Sequence, residues 1–328
     1  MTNQTNPLAL VIGATGGIGG ELADLLSVRG WRVRALHRDP ERARAQTGRV
    51  GLEWVKGDAS IEADVVRAAA GASVLVHGAN TPGYRNWGTL HEPMLKNSIA
   101  AARASGARIL FPGAIYNFGP DTFPSMREDA PQKPLTRKGA IRVKLEQALR
   151  DAADDGVRSL VVRAGDFIAK RPGTNWLSQG MVKVGRPITS LTYPGPLDVA
   201  HGWVYLPDFA ETFVRLIEAP ERLGSFEVFH MRGHAVTGHE FVAALQAAAG
   251  RKIGVQRLPW FAVAAAAPFN ETFRETLELR YLWDGPVLMD NAKLVAHLGA
   301  EPQTSLTAAL RVALAGMGAL PTKQAVPA

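Results

Sequence analysis

The stretch LALVIGATGGIGGELADLL, residues 8–26, decides the fold. Five apolar residues, Leu8 to Ile12, are too few for a helix and lack the alternation of a half-exposed strand. They read as a strand buried on both faces. Gly13, Ala14, Thr15, Gly16, Gly17, Ile18 and Gly19 follow, and an amphipathic helix starts directly from them. Glycines at 13, 16 and 19 fall where a chain must turn tightly, bring its backbone up to a pyrophosphate, and pack a helix against a strand. A glycine pattern alone says little, but between a strand and a helix it predicts a phosphate-binding turn.

Working outward, short runs rich in Val, Ile and Leu alternate with Ala/Arg/Leu segments at helical spacing as far as residue 165. Strands are expected at Leu8–Ile12, Arg32–Leu36, Leu52–Lys56, Ser73–His77, Arg108–Phe111 and Ser159–Arg163. Helices are expected to begin near Gly17, Pro40, Ile61, Glu92 and Lys138, with left-handed caps at Gly30, Gly71, Gly106 and Gly156. This alternation predicts an α/β fold, a doubly wound parallel sheet with helices on both faces. After residue 165 come loops rich in Pro and Gly, a helix around Asp208–Glu218, a strand Ser225–Phe229 and Ala-rich helices. The expected division is a dinucleotide-binding domain over 1–165 and a smaller C-terminal substrate lobe over 166–328, with about 203–230 returning to the sheet.

At the end of the second strand an acidic residue would hold an NAD ribose hydroxyl, and an Arg would accept a 2′-phosphate. His37 stands where the acid would be and Arg38 follows. Asp39, before Pro40, reads as the N-cap of the next helix. The expected cofactor is therefore NADP(H) rather than NAD(H).

The chain has 328 residues, no Cys and five Tyr, with a net charge of +7. Absent Cys excludes disulfides, thiolate catalysis and iron–sulfur ligation. The basic residues interleave with Asp and Glu, so the charge reads as an Arg-rich solvated surface, with neither nucleic acid nor membrane expected as partner. The longest uncharged apolar run, Trp260 to Asn270, falls short of the roughly 20 residues that span a bilayer. MTNQTNP lacks the basic start and apolar stretch of a signal peptide, and a cytoplasmic location is expected.

These residues, and others further on, resemble the extended short-chain dehydrogenase/reductase superfamily, which includes nucleotide-sugar epimerases and dehydratases and is built on the Rossmann fold. The further matches are Gly57-Asp58, Val76-His77-Gly78-Ala79-Asn80, the helix carrying Asn97, Ala114 to Pro120, the helix with Lys144, Val161 to Gly165, Trp203 to Asp208, and Met289 to Lys293. The resemblance implies cofactor contacts at Asp58, Ala59, Gly78, Ala79, Asn80, Asn97 and Ala164. It gives Lys144 the nicotinamide ribose, with Ile141, Leu145 and Leu149 as the buried stripe that fixes it. It also implies a homodimer paired through that helix.

Catalysis in the superfamily uses a Tyr four residues before the Lys and a Ser at the end of the fifth strand, which together exchange a proton with the substrate oxygen. Here those positions are Ala140 and Pro112, and none of the five Tyr has a Lys four residues on. Three readings stand. The chain is an oxidoreductase moving a hydride between NADP(H) and a small carbonyl or conjugated substrate, with Tyr116 as candidate proton donor. Or it is a non-catalytic NADP(H) sensor, or a nucleotide-sugar epimerase or dehydratase. Arg137, Lys138 and Arg142 are expected on a solvated helix face. His201, Trp203 and Tyr205 alternate like one face of a strand. His230, His234 and His239 fall within ten residues but lack a metal-ligand pattern, and no metal is expected.

Overall fold

The computed structural model describes residues 6–79 and 87–320. The first half contains β1 (Leu8–Ile12), α1 (Gly17–Val28), β2 (Arg32–His37), α2 (Pro40–Thr47), β3 (Glu53–Lys56), α3 (Glu62–Ala68), β4 (Val74–His77), α4 (Trp87–Ser105), β5 (Arg108–Pro112), β6 (Ser125–Met126), α5 (Arg137–Asp154) and β7 (Ser159–Ala164). There follow β8 (Asp166–Ile168), β9 (Ser190–Tyr193), β10 (Ala200–Tyr205), α6 (Leu206–Ile217), β11 (Phe226–Met231), β12 (His234–Thr237), α7 (Gly238–Ala249), β13 (Gly254–Arg257), α8 (Trp260–Ala266) and α9 (Glu271–Leu277). The chain ends with β14 (Leu288–Met289), α10 (Ala292–Leu298) and α11 (Leu306–Gly316).

Seven strands form one sheet in the order β11-β7-β5-β4-β1-β2-β3, every pair parallel. The strand order reverses between β1 and β4, so both loops at that switch point open on the C-terminal edge, where α/β sheets bind ligands. β1, β4, β5 and β7 are buried along their whole length, as continuous apolar runs covered on both faces require. One core, around Leu22, Leu26, Phe209 and Phe213, joins α1 and α6 to one face of the sheet. Another, around Leu95, Ile99, Leu145 and Leu149, joins α4 and α5 to the other.

Gly30, Gly71, Gly106 and Gly156 all have φ between 73° and 81°, the left-handed stop each expected helix end requires. Helix α4 differs from its expected start at Glu92. It begins at Trp87 and carries Pro93 inside it. A proline suits the first turn of a helix, but here it lies inside one that tolerates the missing N–H.

Past β7 the chain leaves the main sheet and returns to it at β11. β8, β10 and β12 make a three-stranded sheet, β9 pairs with β13, and β6 with β14. The core around β8, β9 and β10 sets the aromatic residues Tyr193, Trp203, Phe241 and Trp283 among aliphatic ones. Among the described residues no helix is long and apolar enough to cross a membrane.

Candidate functional site

The turn after β1 is built for close approach. Gly13 has φ +86°, and a Cβ on it would lie 2.3 Å from the Gly78 carbonyl oxygen at the end of β4. A Cβ on Gly19 would lie 2.4 Å from Gly13 O, so helix and strand meet only because both positions lack side chains. The Gly16 N–H donates to Gly13 O at 2.9 Å and closes the turn. Gly16 is the N-cap of α1, yet no side chain caps this helix and its first turn carries no acid. Exposed Gly16 and Gly17, flanked by half-buried Thr15 and Ile18, thus leave the positive end of α1 open to an anion. Arg49, not singled out in the sequence, braces the turn from behind, donating to Ala14 O (3.1 Å) and to Asp24 (2.6 Å). A dinucleotide fits this cradle: a Cβ would close it, and the helix end it exposes is unsatisfied.

Beside the ends of β2 and β3 lies a pocket of about 400 Å³ lined by Arg38, Lys56, Gly57, Asp58, Asp64 and Arg67. His37 turns edge-on to Trp54, with its Nδ1 2.7 Å from Asp39 O. Asp39 caps α2, accepting from the Arg42 N–H at 3.0 Å. The pocket's cations are Arg38, Lys56 and Arg67, the last paired with Asp64 at 2.5 Å. Lys56 was legible only through strand register, which sets it beside His37. Asp58 Oδ1 accepts from the Ser60 N–H and hydroxyl, and Asn97 donates to Ala59 O at 2.9 Å, tying this loop to α4.

At the ends of β4, β5 and β7 the site is denser. Gly78 and Ala79 leave β4 toward the cradle; Asn80 lies outside the described residues. His77 is buried, stacked on Phe111, with its Nδ1 2.8 Å from Ser98 Oγ. Burial, then the charges of His91 and Arg142, push His77 down to about 3; burial and Arg142 push His91 down to about 4. Both imidazoles are neutral near pH 7.

Helix α5 corrects the expectation for Lys138. Arg142 Nη1 donates to Pro112 O at 3.1 Å, and its guanidinium lies 5.5 Å from the Phe111 ring, so Arg142 is the cation that reaches the edge of β5. Lys138, one turn earlier, is not on a solvated face. Its side chain is 1% exposed, and its ammonium meets Glu275 of α9 through the carboxylate (3.0 Å) and the backbone carbonyl (2.5 Å). Burial lowers the Lys138 pKa against the opposing pull of Glu275. Lys144 is exposed. It adds to the Lys96 hydrogen bond that holds Glu92 of α4 below the usual carboxylate range. Two residues on a helix turn about 200°, so Lys144 points away from the edge that Arg142 reaches. Leu145 and Leu149 are buried and Ile141 is half-buried, but that stripe does not carry Lys144 inward.

The rotation of α5 is fixed by Glu146, a second residue the sequence did not flag. It is buried against Arg163 of β7 at 2.5 Å and accepts from Asn117 at 2.8 Å. Arg163 also donates to His230 Nε2 at 2.9 Å, while His234 contacts Thr304 O. Those two histidines are thus engaged in packing networks. Tyr116 sits in the 3₁₀ turn Ile115–Asn117 immediately after β5, half-buried against a cluster with Leu279, Leu282 and Met289. Its neighbour Tyr281 donates to Phe118 O, and burial followed by Tyr116 raises the Tyr281 pKa.

Ala164 closes β7, buried. Two residues on, Asp166 receives His201 Nε2 at 2.7 Å, and His201 stacks on Trp283 with centroids 4.0 Å apart.

Residues 13–180 match the family described as NAD(P)H-binding. A 3-diazoavenalumate denitrifying reductase from a Streptomyces species is 33% identical over 190 residues, covering 52% of this chain and 59% of that protein. The chain thus spans about three fifths of the length of the curated relative it matches. Among solved structures, UDP-glucose 4-epimerase of Thermus thermophilus in complex with NAD superposes with a TM-score of 0.67 at 20% identity, over 94% of this chain and 98% of that one. DesIV, a dTDP-glucose 4,6-dehydratase from Streptomyces venezuelae, gives 0.69 at 16%, over 94% and 96%. At such identities the likeness speaks for the fold alone.

Proposed function

The chain belongs to the NAD(P)H-binding family, with the fold of the extended short-chain dehydrogenases/reductases, and from that premise we propose that it is an oxidoreductase moving a hydride between NADP(H) and a small carbonyl or conjugated substrate. The glycine cradle and α1 hold the pyrophosphate, and Arg38, Lys56 and Arg67 hold the 2′-phosphate. When bound, the reduced nicotinamide supplies the hydride.

The observation that carries the reading is Arg142 of α5, whose guanidinium is bonded to the last carbonyl of β5. Hydride addition to a carbonyl or enone develops negative charge, and a fixed cation at the sheet edge favours it without reorganising. Oxidising a sugar hydroxyl demands a base instead, and Pro112 and Ala140 stand where the superfamily places its Ser and Tyr. The curated relative supports the same direction, since by name it is a reductase.

The test is NADPH and NADH consumption with an aromatic aldehyde, an enal and a diazo arene as acceptors. The reading expects turnover with at least one acceptor and preference for NADPH. Tight NADPH binding without consumption on any acceptor would assign the chain to sensing, and keto-sugar formation from a nucleotide sugar would make it an epimerase or dehydratase.

A further inference from the structure

The superfamily's hydroxyl donors are missing, yet one carboxylate and one imidazole meet at the C-terminal edge. Asp166 stands two residues past the end of β7. Gly165 makes its placement possible, because a Cβ there would lie 2.5 Å from Gly202 O. The chain can therefore cross from β7 and pair with β10 in the register Trp203↔Asp166. Register partners share a face, and so do residues two apart on a strand, so His201 falls on the same face as Asp166. The 2.7 Å contact between His201 Nε2 and Asp166 Oδ2 follows.

The two side chains are unequal in access. His201 is 3% exposed and Asp166 24%, so the imidazole lies behind and the carboxylate in front. Trp283 stacks on the imidazole at an interplanar angle of 7° and fixes its plane. Tyr193 is a titratable neighbour of Asp166, and burial pushes its hydroxyl up to about 12.

We propose that Asp166 is the proton donor of this enzyme and His201 the positioning residue behind it; this rests on the reductase reading above. The substrate carbon accepts a hydride, two electrons and one proton, from the reduced nicotinamide. The C=O π bond breaks and its electron pair becomes an oxyanion. That oxyanion takes a proton that solvent delivers through Asp166 Oδ1, the carboxylate oxygen not bonded to His201. Asp166 returns to a carboxylate accepting the His201 Nε2–H.

The experiment compares wild type, Asp166→Asn and His201→Gln in NADPH titrations followed by fluorescence and in NADPH-dependent reduction of trans-cinnamaldehyde and 4-nitrobenzaldehyde. The NADPH Kd is expected to stay within about twofold in both variants, while kcat falls about 10²–10⁴-fold in Asp166→Asn, the usual loss of a general acid. Gln keeps an N–H toward Asp166 but cannot exchange a proton. In His201→Gln, kcat is expected to drop about tenfold with KM unchanged, where a merely structural role would move both. Turnover by Asp166→Asn within about threefold of wild type overturns the proposal. Should Asp166→Asn fail to fold, Asp166→Glu retains an acid and is expected to keep activity; an inactive but NADPH-binding Asp166→Glu together with a fully active His201→Gln overturns it equally. A wild-type chain that binds no NADPH, or is inert on both probes, defeats the reductase reading, and the proposal falls with it.

Discussion

Gly13 and Gly16 make different demands, and replacing each by Ala separates folding from cofactor binding. At Gly13 the backbone is left-handed, which costs a residue with a Cβ roughly 1–2 kcal/mol. The new Cβ would also lie 2.3 Å from Gly78 O, an atom of the backbone at the end of β4 that cannot swing aside. Overpacking of this kind adds about 1–3 kcal/mol. Gly13→Ala is therefore expected to lose about 2–5 kcal/mol of stability, a large share of the roughly 5–15 kcal/mol a domain possesses. At Gly16 φ is −83° and ψ 178°, ordinary extended backbone, and a Cβ meets only Gly13 O at 3.3 Å. Exchanging Gly for Ala at an N-cap costs under about 1 kcal/mol. Its methyl group nevertheless stands over the open end of α1. Urea denaturation of the two variants, paired with NADPH titration, is the assay. Gly16→Ala should unfold near the wild-type midpoint yet bind NADPH at least about tenfold more weakly, 1.4 kcal/mol by the affinity scale. Equal losses of stability in the two variants, or wild-type NADPH affinity in Gly16→Ala, would refute the reasoning.

Other outcomes follow from the same geometry. Arg142→Met should lower NADPH-dependent turnover strongly and Lys144→Met leave it near wild type, so steady-state kinetics showing the reverse would return Lys144 to the edge of β5. Arg38→Ala and Lys56→Ala should each weaken NADPH by about 10–100-fold, one charge-assisted hydrogen bond of about 1.5–3 kcal/mol, and leave NADH binding unchanged; calorimetry checks this. Glu275→Gln leaves the buried Lys138 ammonium without its carboxylate and should cost about 3–5 kcal/mol in a urea titration. Burial holds His77, His91 and His230 down at about 3, 4 and 3, against 6.5 when unfolded. Below 6.5 the unfolded chain takes up protons that the folded chain refuses. Their contribution is whole above that pH and falls with acid, by up to about 1.4 kcal/mol per pH unit for each histidine, until the folded values are reached. Urea midpoints that hold steady or rise from about pH 7.5 to 5 would contradict this.

The parallel sheet was legible because its strands are continuous apolar runs punctuated by glycines. β1 matches its expected range residue for residue, and the other five strands expected before residue 165 lie within one residue at each end, while the strand expected at Ser225–Phe229 runs from Phe226 to Met231. The glycine turn was legible for the same reason, since Gly13, Gly16 and Gly19 act through backbone that spacing alone defines. Side-chain direction was less accessible. Arg142 and Lys144 are both basic and two residues apart; which one faces the edge depends on the rotation of α5. That rotation is locked by the buried pair of Glu146 with Arg163, which the helix pattern does not contain. Lys138 likewise looked solvated because Glu275, its partner, lies 137 residues on. His201 and Asp166 are 35 residues apart and meet only where the chain crosses between sheets. Local periodicity carries the elements, while long-range ion pairs decide what each element presents.

The central claim is hydride transfer by a chain that lacks the superfamily's Tyr and Ser. NADPH deuterated at C4, in each of its two stereochemical forms, offers the most direct measurement, with the product of trans-cinnamaldehyde or 4-nitrobenzaldehyde reduction analysed by mass spectrometry. One deuterium should appear in the product from one of the two forms and none from the other. NADPH bound tightly, with no deuterium transferred from either form, would contradict the account.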